Sequence, residues 1–203
     1  MSADRNLRLS HPRYESGEVL GQGAQGLVLR VVDREDPDKP LVAKIWRGAA
    51  DADASAAIAG EFALLSRARV PGLVRAHDLA RDEGSSALFL VEDFVQGEDA
   101  SAWLCAASEA ERSARLASLL AQVGSTLGAM HALGLVHGDL KPAHVRFDES
   151  GRATLLDLGS AVTRNAPTGE PTAFTRAYAA PELLAGGEPS VASDLYADRK
   201  SVV

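Results

Sequence analysis

From Arg13 to Val91 apolar residues fall in short runs with partial alternation, separated by turn-rich breaks, which is the pattern of strands buried on one face. The runs YESGEVL, GLVLRVVD, PLVAKIW, LVRAHDLA and ALFLVED predict strands, and DREDPDKP and RDEGSS predict the turns between them. One segment interrupts the series. Between Asp53 and Arg67, Ile58, Phe62 and Leu65 are spaced i, i+4, i+7, which predicts an amphipathic helix. After Gly97 the period becomes helical. Ser108 and Glu111 have the spacing of a capping box, Leu116, Leu119, Val123, Leu127 and Met130 form an apolar stripe, and Gly134 suits the position just beyond a helix end. Short strands are expected around VRFD and ATLLD. A strand-rich first part with one helix, followed by a helix-rich part, predicts an α+β chain of two lobes.

The chain has 203 residues, 46% of them apolar, enough for one large domain or a two-lobed one. Lys and Arg number 21 against 28 Asp and Glu, a net charge of −7, so no nucleic acid is expected as a partner and a basic peptide would suit the surface. Cys105 is the single cysteine and excludes an internal disulfide. No apolar signal region and no run near the ~18 apolar residues of a membrane span occur. A cytoplasmic location with no membrane contact within this segment is therefore expected.

Three motifs carry candidate chemistry. GQGAQGLV places Gly21, Gly23, Gly26 and Val28 between two predicted strands, either as a plain glycine-rich turn or as a hairpin whose backbone N–H groups approach phosphates. Lys44 lies in the apolar strand VAK, where its ammonium must reach solvent or meet an acid such as Glu61 on the predicted helix. Asp139 in HGDLKPAHV and Asp157 in LLDLGSA flank short apolar strands. Brought together, two such acids repel unless a cation lies between them or one is protonated.

The order of these motifs, followed by AAPE at Ala179 to Glu182, resembles a eukaryotic-type serine/threonine protein kinase of the sort also found in bacteria, from about Tyr14 to Ala197. The resemblance implies a two-lobed protein kinase-like fold: an N-terminal extension at 1–12, a small β-rich ATP-binding lobe at 13–96 with one helix, and a truncated helical lobe at 97–197. It implies ATP and Mg²⁺ or Mn²⁺ as cofactors, and protein substrates with Ser or Thr. Asp139 would orient the substrate hydroxyl, Lys141 would neutralise the transferred phosphoryl group, and a Lys44–Glu61 pair would hold the α- and β-phosphates. Asp157 would bind Mg²⁺. Val28 and Ala43 would cover adenine, with backbone groups around Asp93 to Val95 on its edge. Thr175, before Tyr178, resembles the serine/threonine-kinase mark, and Asp194 would hydrogen-bond the catalytic-loop backbone.

The chain also departs from the family pattern. Gly138 replaces an arginine, which predicts an enzyme not switched on by phosphorylation at Thr163, Thr168 or Thr172. Leu158 stands for phenylalanine, a change of similar volume. His144 takes the place of the asparagine that holds a second metal, as a metal contact or as a non-ligand. Glu92 falls at the gatekeeper position, and Arg146 either stacks on adenine or fills its pocket. His137 is expected to be structural. The last six residues, DRKSVV at 198–203, resemble what a common sequencing adapter encodes and are expected to be a non-native tail on a longer natural chain, so the 203-residue piece by itself is expected to be weak or inactive. Two other readings remain at this point: a pseudokinase acting as a nucleotide-sensing or partner-binding module, and a small-molecule phosphotransferase of the aminoglycoside or choline kinase kind, whose catalytic loop also reads HGDL.

Overall fold

The computed structural model describes residues 9–22, 26–46, 56, 59–60, 62–64, 66, 69–158, 161–163 and 174–200. Contacts divide the chain into two units, Met1–Arg67 with Arg75–Phe94, and Ala68–Val74 with Val95–Val203.

The first unit is built on an antiparallel sheet. Strands β1 (Tyr14–Gln22), β2 (Gly26–Asp33), β3 (Asp36–Trp46), β4 (Ala76–Arg81) and β5 (Leu88–Asp93) lie in the order β1-β2-β3-β5-β4. One face packs Tyr14, Leu29, Val31, Leu41, Ala43, Ile45, Phe89 and Val91 into a core. The alternation of strand side chains leaves the residues between them on the other face. The break expected at DREDPDKP is shorter than its composition implies, because β3 already starts at Asp36, opposite Asp33. Buried Asp33 makes this tight turn: its carboxylate accepts from the Glu35 N–H at 3.0 Å and from Arg13 Nε and Nη2 at 2.9 and 2.6 Å. Residues 56, 59–60, 62–64 and 66 are helical, where the amphipathic helix is expected. Ile58 and Leu65 of its predicted face lie outside the described residues.

The LVRAHDLA run differs from expectation. Its first two residues belong with the second unit, where Val74 N–H donates to the Leu155 carbonyl at 2.9 Å and Leu155 N–H to the Gly72 carbonyl at 2.7 Å. The strand of the first unit therefore begins only at Ala76.

The second unit is organised by the long helix Glu109–Ala132. Its start is the expected capping box: Glu111 Oε2 accepts from Ser108 N–H and Oγ–H at 3.0 and 2.6 Å. Leu119, Val123, Leu127 and Met130 of its apolar stripe are buried, and Gly134 follows the end with φ of +76°. Strands β6 (Glu98–Asp99), β8 (Val145–Phe147) and β9 (Ala153–Leu155) form a small sheet, and β7 (Leu135–Val136) pairs with β10 (Val162–Thr163). Trp103, on the short helix Ala100–Cys105, stacks flat on Phe147 with ring centroids 3.8 Å apart.

Gly97 opens this unit in a conformation only glycine tolerates. Its φ is +136°, and a Cβ there would lie 2.0 Å from the Phe147 carbonyl oxygen. A backbone atom cannot yield as a side chain can, so Gly97→Ala is expected to destabilise the chain by about 2–4 kcal/mol, read as a lower urea midpoint at unchanged slope.

Candidate active site

In the first unit the strand register assembles the nucleotide-binding candidates. Gly21 pairs with Val28, Val28 with Lys44, and Leu41 with Asp93. Gly26 faces the β3 backbone so closely that a Cβ would lie 2.0 Å from the Ile45 carbonyl oxygen, which explains glycine at that position. Val28 and Lys44, as direct partners, share a face. Ala43 does not. It is fully buried in the core on the opposite face, so the expectation that it covers adenine beside Val28 is corrected. Val42, two residues before Lys44, is on the Lys44 face by the strand period, and counting back by two from Lys44 finds it in the sequence. Lys44 Nζ lies 4.9 Å from the centroid of the Trp46 ring. Asp93 Oδ1 is 2.6 Å from His77 Nε2, whose Nδ1 is 3.1 Å from Lys39 Nζ. Because the lysine ammonium only donates, the second ring nitrogen carries the proton given to Asp93. Gly23 and Glu61 lie outside the described residues, as do Thr168 and Thr172.

The second unit gathers Asp139, Lys141 and Thr175. Asp139 follows β7 and lies before the 3₁₀ turn Pro142–His144. Asp139 Oδ1 accepts from the Thr175 N–H at 2.6 Å. Its Oδ2 accepts from Lys141 Nζ at 2.8 Å and from the Thr175 hydroxyl at 3.2 Å, and Lys141 Nζ also donates to Thr175 Oγ1 at 2.9 Å. Asp139 and Lys141, two residues apart, are thus closed into one network with Thr175, 34 residues beyond Lys141.

Asp194, in the C-terminal helix Val191–Lys200, fixes the loop from beneath. Its buried carboxylate accepts from His137 N–H at 2.9 Å, Gly138 N–H at 3.0 Å and His131 Nε2–H at 2.8 Å. The backbone bonds match the expectation for this residue. His131 is the partner that sequence reading missed, and no local motif marks it. Gly138 has φ of +82°, a conformation free of penalty for glycine. His137 is fully buried and donates from Nε2 to the Leu156 carbonyl at 3.2 Å.

His144 and Asp157 meet in the same unit, His144 Nε2 standing 3.3 Å from Asp157 Oδ2. Burial is the largest influence on the imidazole and lowers its pKa to about 4, against the opposing pull of Asp157. Asp157 has φ of +62°, a left-handed conformation that costs a non-glycine residue about 1–2 kcal/mol and marks functional sites. Arg146 donates from Nη1 to the Gly97 carbonyl at 3.2 Å, a polar tether within its own unit.

A family model described as "Protein kinase domain" matches residues 14–198. The chain belongs to the protein kinase family. This kinase chain is 33% identical over 202 residues to the serine/threonine-protein kinase PkaA of Streptomyces coelicolor, covering 91% of this chain and 37% of that one. It is 32% identical to PkaB of the same organism over 91% of this chain and 46% of the relative. To PknA of Mycobacterium tuberculosis it is 28% identical over 91% and 44%. It thus spans less than half the length of these curated relatives. Kinases of this family use ATP and a divalent metal. No helix among the described residues is long and apolar enough to cross a membrane.

One residue sits poorly in its surroundings. Asp198 is 7% exposed, and its Oδ1 has no hydrogen-bond partner among the described residues. Burial pushes its carboxyl up to about 6 from a usual 3.8. With a folded-state value above the unfolded one, the stability contributed by the protonated group is full below pH ~4 and disappears as pH rises through ~6. Asp198→Ala is therefore expected to stabilise the chain by about 1–3 kcal/mol at pH 8 and hardly at all at pH 4. Urea unfolding at the two pH values measures this. An equal gain at both would show that the carboxylate's burial is not the cause.

Proposed function

We propose that this chain is the catalytic part of an ATP-dependent serine/threonine protein kinase, which transfers the ATP γ-phosphate to protein hydroxyls. The observation that carries the reading is the closed Asp139–Lys141–Thr175 network, because a base, a cation and a hydroxyl-bearing positioner are what in-line phosphoryl transfer to a hydroxyl requires. Asp139 Oδ2 receives or orients the proton of the incoming hydroxyl. Lys141 Nζ, already within 2.8 Å of that oxygen, offsets negative charge growing on the phosphoryl group. Thr175 holds the carboxylate rotamer through its N–H and Oγ1.

On the nucleotide side, the backbone of Gly21, Gly23 and Gly26 approaches the phosphates, Lys44 paired with Glu61 holds them, and Val28 with Val42 covers the base. Backbone groups from Asp93 to Val95 bind its edge. Asp157 and His144 hold the divalent ion, which when bound screens the phosphate charges. The intact network argues against a pseudokinase. The segment from Thr175 to Glu182 turns on backbone bonds from Tyr178 and Ala179 N–H to the Thr175 carbonyl at 3.0 and 3.2 Å, and supports a protein rather than a small-molecule acceptor. The site is proposed to work in the cytoplasm.

The test is transfer of labelled γ-phosphate from ATP, with Mg²⁺ or Mn²⁺, to a generic basic protein, followed by identification of the modified residue. Phosphoserine or phosphothreonine is expected. Label on a hydroxylated small molecule and on no protein would overturn the reading.

A further inference from the structure

A groove of about 880 Å³ opens in the second unit, between the stretch ending at Glu98, the short helix Ala100–Cys105, the long helix Glu109–Ala132 and the turn that joins β8 to β9. Its size falls within the ~300–1,000 Å³ of ligand sites, and none of its lining residues belongs to the Asp139–Lys141–Thr175 network. Phe147 ends β8, whose three residues place the groove about 10 Å along the strand from the turn that holds His144. The walls are set before any partner arrives. Trp103 lies flat on buried Phe147. Arg115 stands over the same indole with Cζ 5.0 Å from the ring centroid, and donates from Nη1 to the Trp103 carbonyl at 2.6 Å. Asp148 Oδ1 fixes the turn by accepting from Ser150 N–H, Ser150 Oγ–H and Arg152 N–H at 2.9, 2.6 and 3.0 Å. A surface preformed in this way loses little conformational entropy when a partner binds.

Charge selects the occupant. Glu98 and Glu149 are exposed on the groove and, among the described residues, make no ion pair and no side-chain hydrogen bond. Asp148 adds a third carboxylate. Among the described residues that line the groove the one cation is Arg115, and its charge is offset by Glu111 one helical turn earlier. A lysine or arginine of a partner suits both features, because its aliphatic stem lies along apolar surface such as the half-buried Trp103 while its charged head reaches the carboxylates. An acidic segment would be repelled.

We propose that this groove docks a basic segment of the protein substrate, outside the stretch that carries the acceptor hydroxyl. The inference rests on the kinase reading above for the identity of the partner as a substrate. Binding energy gained away from the reacting atoms is the same in the ground state and the transition state, so it lowers the Michaelis constant for the protein and leaves turnover unchanged.

The test compares the full-length protein with its Glu98→Gln/Glu149→Gln double variant, both checked for an unchanged fold by circular dichroism. Isothermal titration calorimetry uses a peptide of lysine and alanine without hydroxyl side chains, and a glutamate–alanine peptide of equal length. Saturable binding of the lysine peptide alone is expected, about fivefold weaker in the double variant and weaker as salt rises. In phosphate transfer to a basic protein, the double variant should raise KM for that protein by about fivefold while kcat and KM for ATP stay within about twofold. No binding of the lysine peptide, binding that the two substitutions leave unchanged, or equal binding of the glutamate peptide would each overturn the docking assignment and spare the kinase reading. A change confined to kcat or to KM for ATP would place the two acids in the nucleotide site and overturn it as well. Binding that depends on Glu98 and Glu149 in a protein that transfers no phosphate would overturn the kinase reading, and with it the identity of the partner as a substrate.

Discussion

Asp139→Asn is expected to lower phosphate transfer by about 10²–10⁴-fold with little change in melting temperature. Asparagine keeps the shape of the side chain, and its remaining oxygen still accepts from the Thr175 N–H that lies 2.6 Å from Oδ1. The other position becomes an amide NH₂ facing the Lys141 ammonium, which now donates to Oδ2 at 2.8 Å. Two donors in contact repel, the negative charge that anchors Lys141 disappears, and the group loses its capacity to receive a proton. The loss belongs to chemistry, so the turnover number should fall far more than the Michaelis constant for ATP rises. Labelled-phosphate transfer to a basic protein measures it. A variant retaining a tenth or more of the activity would remove Asp139 from the role of base.

Asp194→Ala is expected to have the largest effect on stability, a loss of about 3–5 kcal/mol. Its carboxylate satisfies the N–H groups of His137 and Gly138 and the Nε2–H of His131, all in surroundings closed to water. Alanine strands those donors, and each buried orphan costs about 1–3 kcal/mol. For a chain of this size the change corresponds to a drop of about 6–20 °C in melting temperature. Phosphate transfer should fall as well, because Gly138 immediately precedes Asp139 and its N–H is one of the bonds lost. Thermal unfolding followed by circular dichroism decides the point. A shift below about 2 °C would mean that the loop is held by other contacts.

Much of the architecture was legible along the chain. The five strand runs, the capping box at Ser108 and Glu111 and the stripe from Leu119 to Met130 are local patterns, with a period of two or 3.6 that backbone geometry imposes wherever one face is buried. The family is likewise a matter of motif order, and the match over residues 14–198 agrees with it. Boundaries were less legible. The run at LVRAHDLA divides between the two units because Val74 finds its backbone partner in Leu155, far along the chain, and the break at DREDPDKP shortens because Asp33 gains an arginine that composition does not reveal.

The candidate site divides in the same way. Asp139 and Asp157 stood out in the sequence by their places beside short apolar strands, and the resemblance to the family singled out Lys141, Thr175 and His144. Ala43 was misplaced because a motif names residues without stating which face of the strand each occupies, and one position along a strand reverses the face. Only the folded chain shows that His131 joins His137 and Gly138 on Asp194, and that His144, with Nδ1 2.9 Å from the Asp139 carbonyl oxygen, has its Nε2 3.3 Å from Asp157 Oδ2. Periodicity and motif order act between near neighbours and are written in the sequence itself. A proton's position on an imidazole and the partner of a buried carboxylate depend on groups that folding brings from tens of residues away, so only the tertiary structure could decide them.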